Sequence, residues 1–169
     1  MFSRTSFSSD EWSRVAASPM VVCAAVSAAD PGGLWGLLQE ASAGGFALVE
    51  AKQNPNSSPL LKAMADDLSS GDTRGPITSR AQAVFKDAQP SNIKEKALQE
   101  LRSVASIVDS KSPDEAGAFK AWLQAVAQKA AEAAKEGGFL GFGGVAVSDA
   151  EKAALGEISQ ALKAPSGTT

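Results

Sequence analysis

Three acidic residues, Asp66, Asp67 and Asp72, lie close enough in the sequence to raise the question of a divalent cation. The spacing argues against one. Neighbours on a helix point about 100° apart, so Asp66 and Asp67 do not converge on a single ion, and a solvated face is the reading they support. Lys62 lies four residues before Asp66, the spacing of a pair across one helical turn. Asp10, Glu11, Asp114 and Glu115 fall where helices begin, and that position accounts for them without catalysis. Arg74, Arg80 and Lys86 are scattered. The triplet Asn56-Ser57-Ser58 matches a glycosylation acceptor, which a cytoplasmic chain would not use.

The residue types that are missing exclude more. The chain has no histidine and no tyrosine. Imidazole general-base catalysis, a histidine-based triad and histidine metal ligation are therefore closed to it. Its single cysteine, Cys23, rules out an internal disulfide and a thiolate zinc site. Cys23 lies in "MVVCAAV", a setting that suits burial as a small hydrophobe rather than reactivity. No metal site, cofactor or catalytic set is nominated by these spacings.

The elements that would have to position any site are helices. Apolar residues make up 44% of the 169 and charged residues 21%, an ordinary globular mix in a chain long enough for one hydrophobic core. Alanine is the most frequent residue, and Val, Ile and Thr are too sparse for a sheet. Capping boxes read from Ser8 to Glu11, Ser112 to Glu115 and Ser148 to Glu151. Phe7 and Trp12 flank the first at hydrophobic-staple spacing. Ser18-Pro19 and Ser58-Pro59 carry a cap followed by proline.

Apolar stripes at helical spacing follow: Phe119, Trp122, Leu123, Val126, Ala130 and Ala133; Ile93, Ala97, Leu101, Val104 and Val108; and Ala150, Ala154, Ile158 and Ala161 with Leu155 and Leu162. Helices are expected near 9–17, 19–30, 33–51, 58–69, 77–88, 92–109, 113–136 and 149–163. The first two could join into one kinked helix, and Gly44-Gly45 could split the third. "KQNPNSSP" and "SSGDTRGP" read as polar turns. The expected fold class is all-α: a single-domain bundle of seven to eight helices over 1–164 with a frayed tail at 165–169.

One stretch departs from this pattern. "GGFLGFGGVAV", residues 137–147, interleaves glycines with Phe139, Leu140 and Phe142. It follows a helix rather than a strand and lacks the Lys-Ser/Thr of a phosphate-binding loop. Two arrangements fit it. Its aromatics plug the core between the last two helices, the reading favoured by the usual closure of a domain end. Alternatively they face outward to a protein, a membrane surface or an apolar ligand. "AADPGGLWG" (28–36) and "AAKEGGFLG" (133–141) look alike because both contain helix boundaries rather than because of a repeat. Within the first, Trp35 is the tryptophan least committed to a core; Trp12 and Trp122 both read as core.

A net charge of −3 offers no basic footprint for nucleic acid. The N-terminus lacks a signal-peptide apolar run, and Val15 to Ala29, broken by Ser18-Pro19, is too short to span a bilayer. The expectation is a cytoplasmic, non-enzymatic helical interaction or accessory protein that binds a partner or itself. Its candidate contact residues are Phe139, Leu140, Phe142 and Trp35, and peripheral membrane contact is open to them. The alternative is a module holding a lipid or other apolar molecule between helices, lined by several of Val21, Val22, Leu37, Leu38, Trp122 and Val126.

Overall fold

The computed structural model describes residues 2–29, 51–54, 56–136 and 148–163, and within them the chain is all-α, with no strand. A short 3₁₀ turn, Arg4–Ser6, precedes α1 (Ser9–Ser27). Then come α2 (Pro59–Ser69), α3 (Gly71–Val84), α4 (Ile93–Lys111), α5 (Pro113–Glu136) and α6 (Asp149–Lys163). The expected 33–51 helix lies outside the described residues, save Ala51, which is helical and buried. So do Gly44-Gly45, the 28–36 and 133–141 comparison for the most part, and the tail.

α1 is the central rod. Apolar residues occupy every face of it, from Trp12 and Val15 through Val21, Val22 and Cys23 to Val26, all buried. A helix apolar all round has to be enclosed. It packs most extensively on α4, then on α5 and α3, while α6 closes over α4 and α5 and α2 sits beside α3 and α5. The outer helices each turn one stripe inward. Ala97, Leu101, Val104 and Val108 do so on α4, Phe119, Leu123, Val126 and Ala130 on α5, and Ala154, Ile158, Ala161 and Leu162 on α6. Ile93 is half-buried and Ala150, in the first turn of α6, is exposed, so both stripes begin one turn later than the sequence spacing suggests.

The first cap forms as its residues require. The Glu11 amide donates to Ser8 Oγ (3.2 Å) and the Ser8 amide donates to Glu11 Oε2 (2.7 Å). Phe7 meets Trp12 edge-on with ring centroids 5.6 Å apart. The box at Ser148 and Glu151 closes in the same way. The one expected at Ser112 does not, for a positional reason. Ser112 is also the C-cap of α4, and its amide completes that helix on the Val108 carbonyl (2.8 Å). Glu115 instead reaches another helix, where its Oε2 accepts from the Leu60 amide (3.2 Å). Leu60 is in the first turn of α2, whose amides have no intrahelical acceptor.

α1 runs unbroken through Pro19. Proline has no amide proton, so the Val15 carbonyl loses its usual donor four residues on. Ser18 supplies the replacement: its Oγ donates to the Val15 oxygen at 2.6 Å, and both residues are fully buried. Ser18→Ala is therefore expected to cost about 1–3 kcal/mol, the penalty for an unsatisfied buried carbonyl. Adding Pro19→Ala should recover most of it by restoring the backbone donor. Urea unfolding of the two variants checks this, and a double variant no more stable than Ser18→Ala refutes it.

α3 corrects the sequence reading. It begins at Gly71, inside the stretch read as a turn, and ends at Val84 rather than at 88. Pro76 lies within it, and Thr73 Oγ1 donates back to the Asp67 carbonyl at the end of α2. Only Ile77 and Ala81 of α3 are buried. So few buried residues leave little apolar periodicity to read in the sequence.

Candidate functional site

On α4, Lys96, Gln99, Glu100 and Ser103 follow at intervals of three, one and three residues and share one face. Arg80, Ala83 and Val84 do the same at the end of α3, and Arg14 projects from α1. These eight residues line a groove of about 370 Å³ where the three helices meet. At its floor the side chain of Glu100 is 10% exposed. Arg14 grips it with two bonds, Nε to Oε1 (2.8 Å) and Nη2 to Oε2 (2.7 Å). Arg80 Nη2 stands 3.5 Å from Oε1, and its Nη1 is 3.8 Å from the exposed Asp10.

Burial pushes the Glu100 carboxyl up, but the Arg14 hydrogen bonds and the charges of Arg14 and Arg80 outweigh it. The net effect holds the group below the usual carboxylate value. The Glu100 bonds in turn raise the Arg14 guanidinium above its ordinary value. Glu100 is thus a fixed anion in neutral solution. A carboxyl stabilised in its charged form is a poor general acid, and its oxygens already accept from guanidinium donors.

The other carboxylates brought near a second helix are also engaged. Asp67 Oδ2 accepts from the Trp12 indole Nε1 (2.7 Å) and pairs with Arg4 (3.1 Å), whose guanidinium lies over the Trp12 ring. Asp109 binds Lys120 at 2.6 Å, Glu157 binds Lys94 at 2.8 Å, and Glu11 meets Lys111 at 3.5 Å. Asp66 turns away from Asp67 to Lys52 (3.1 Å), as their divergence on a helix requires. The solvated-face reading therefore holds for Asp66 and fails for Asp67, whose side chain is 14% exposed because the indole and Arg4 cover it. Asp72 is exposed, and no group of three metal-ligating side chains occurs among the described residues.

Cys23 is buried, and desolvation pushes its thiol up to about 12, so it carries almost no thiolate at neutral pH. Trp12 is in the core as expected, whereas Trp122 is only half-buried, at the edge of the stripe centred on Phe119 and Leu123. Val21, Val22 and Val126 belong to the packed core, and Leu37 and Leu38 lie outside the described residues. The candidate contact residues Trp35, Phe139, Leu140 and Phe142 lie outside them too.

The α1–α3–α4 groove was not legible as a site. Arg80 reads as one of several scattered cations, and Arg14 and Glu100 are 86 residues apart. The polar Lys96, Gln99, Glu100, Ser103 face beside the apolar stripe of α4 was the available signal. Among the described residues, no helix is long and apolar enough to cross a membrane. No protein-family model, no curated protein and no solved structure matches the chain.

Proposed function

We propose that this chain is a non-enzymatic helical interaction protein that self-associates through the apolar glycine-rich segment 137–147. The observation that carries the reading is the use made of acidic groups. Glu100, Asp67, Asp109, Glu157 and Glu11 each tie one segment of the chain to another by an ion pair. Such carboxylates brace a framework rather than move protons. Segment 137–147 follows directly on α5 and leads into α6, two helices that pack on each other and on α4. In the sequence it joins these two helices, and its three large apolar side chains are concentrated in four positions, Phe139 to Phe142. Half-buried Trp122 and Leu155 place further apolar surface on the same two helices.

Light scattering coupled to size-exclusion chromatography tests this across a hundredfold range of concentration. The wild-type chain should gain mass with concentration. A Phe139→Ser, Leu140→Ser, Phe142→Ser variant should stay monomeric with an unchanged helical circular dichroism spectrum. A wild-type chain that is monomeric throughout, or a variant that associates equally well, refutes self-association through this segment. Loss of helical signal in the triple variant would show instead that the three side chains are core.

A further inference from the structure

We infer that α3 is a cover over α1 that opens by local unfolding while the other helices stay packed. The inference goes beyond the proposed self-association and uses none of its residues.

The first argument is intrinsic helix strength. α3 contains Gly71, Gly75 and Pro76, the two residue types least favourable to a helix. Pro76 has no amide proton, so the Asp72 carbonyl loses its usual donor four residues on. Packing gives no reason for these choices. A side chain at Gly71 or Gly75 would meet nothing within 4 Å, and Pro76 is exposed. The start of the helix is also weakly fastened. Ser70 makes no side-chain cap bond, whereas Ser8 and Ser58 cap α1 and α2.

The second argument is how little holds α3 down. α2 buries five of its 11 residues, but α3 buries only two of its 14, Ile77 and Ala81. Its remaining ties are polar. Arg80, with its side chain 29% exposed, stands 3.5 Å from Glu100 and 3.8 Å from Asp10, and Thr73 donates to the Asp67 carbonyl. Closure also has a cost, because Arg80 Nε is buried without a hydrogen-bond partner and opening returns it to water. Glu100 keeps both Arg14 bonds when Arg80 leaves, so no buried charge is stranded. Sparse apolar burial of this kind marks segments that open at low free energy.

The third argument is topology. α3 joins α2 to α4 in the chain, and both are held without it. α2 buries Leu60, Leu61 and Met64 and packs also on α5 and α1. α4 buries Leu101, Val104 and Val108 and packs chiefly on α1 and α6. α3 itself packs chiefly on α1, a rod apolar on every face, so its opening bares apolar surface of that rod.

The test is native-state hydrogen exchange of the full chain, read by two-dimensional NMR at rising urea below the unfolding transition. The amides of Ile77 to Val84 should share one opening free energy, lower than that of the α4 and α5 amides, with a smaller but nonzero urea dependence. Ile158→Val thins the core on α6, which packs on α4, α5 and α1. It should speed exchange in α4 and α5 about twofold to tenfold and leave Ile77 to Val84 unchanged. Pro76→Ala restores an amide donor at an exposed position and should slow exchange of Ile77 to Val84 at least about fivefold. Four results would overturn the inference: α3 amides that match α4 in free energy and urea dependence; α3 amides that speed up with α4 in Ile158→Val; exchange of α3 amides one by one without urea dependence; or rates that Pro76→Ala leaves unchanged.

Discussion

Glu100→Gln is expected to destabilise the fold by about 2–3 kcal/mol at pH 7. Removing one partner from a buried pair costs about 3–5 kcal/mol. The lower figure applies because the guanidiniums left behind are 24% and 29% exposed and regain some hydration. Glutamine keeps the shape and some acceptor capacity but leaves Arg14 and Arg80 facing each other without the anion between them. The pH dependence gives a second, sharper readout. The folded-state carboxyl lies below its ordinary value of 4.5, so the native state binds that proton less readily than the unfolded chain does. Its stabilisation is complete above about pH 4.5 and is lost as the pH falls through the folded value. The glutamine variant has no such group. Urea denaturation of the two proteins at pH 7 and pH 3 should show a gap at neutrality that narrows on acidification. Parallel stability curves would contradict the role assigned to Glu100.

Phe119→Ala should cost more, about 3–5 kcal/mol. The ring is fully buried, among the largest side chains in the core, on a helix packed against α1, α4, α6 and α2. Alanine removes the transfer energy of the ring and leaves a cavity that surrounding helices can only partly fill. Against a total stability of about 5–15 kcal/mol for a protein of ordinary size, that loss brings the chain near its unfolding limit at physiological temperature. Trp122→Ala is the control. Its side chain is larger but half-buried, so truncation should cost about 1–2 kcal/mol. Equal costs in urea unfolding would mean that Trp122 is as enclosed as Phe119.

How far a local pattern determines this molecule is clear from particular residues. Ser8, Glu11, Phe7 and Trp12 specify the start of α1 because cap and staple are made within six residues of chain, Phe7 to Trp12. The stripes of α4, α5 and α6 specify which face turns inward, since burial of apolar area requires only that some neighbour be present. Phe119 and Leu123 are buried as their spacing indicates, and Trp122, beside them on the same helix, is left at the rim.

The sequence by itself determined that the chain is helical, where α1, α2, α5 and α6 begin, and that histidine and multi-cysteine chemistry are closed to it. These properties depend on residue type and on short-range geometry alone. Only the tertiary structure decided that α1 passes through Pro19, that Glu115 serves the start of α2, that α3 begins at Gly71, and that Arg14, Arg80, Lys96 and Glu100 line one groove. Each of those depends on which helices meet. A charged side chain has no periodicity to announce its partner, and the partner of Arg14 is 86 residues away.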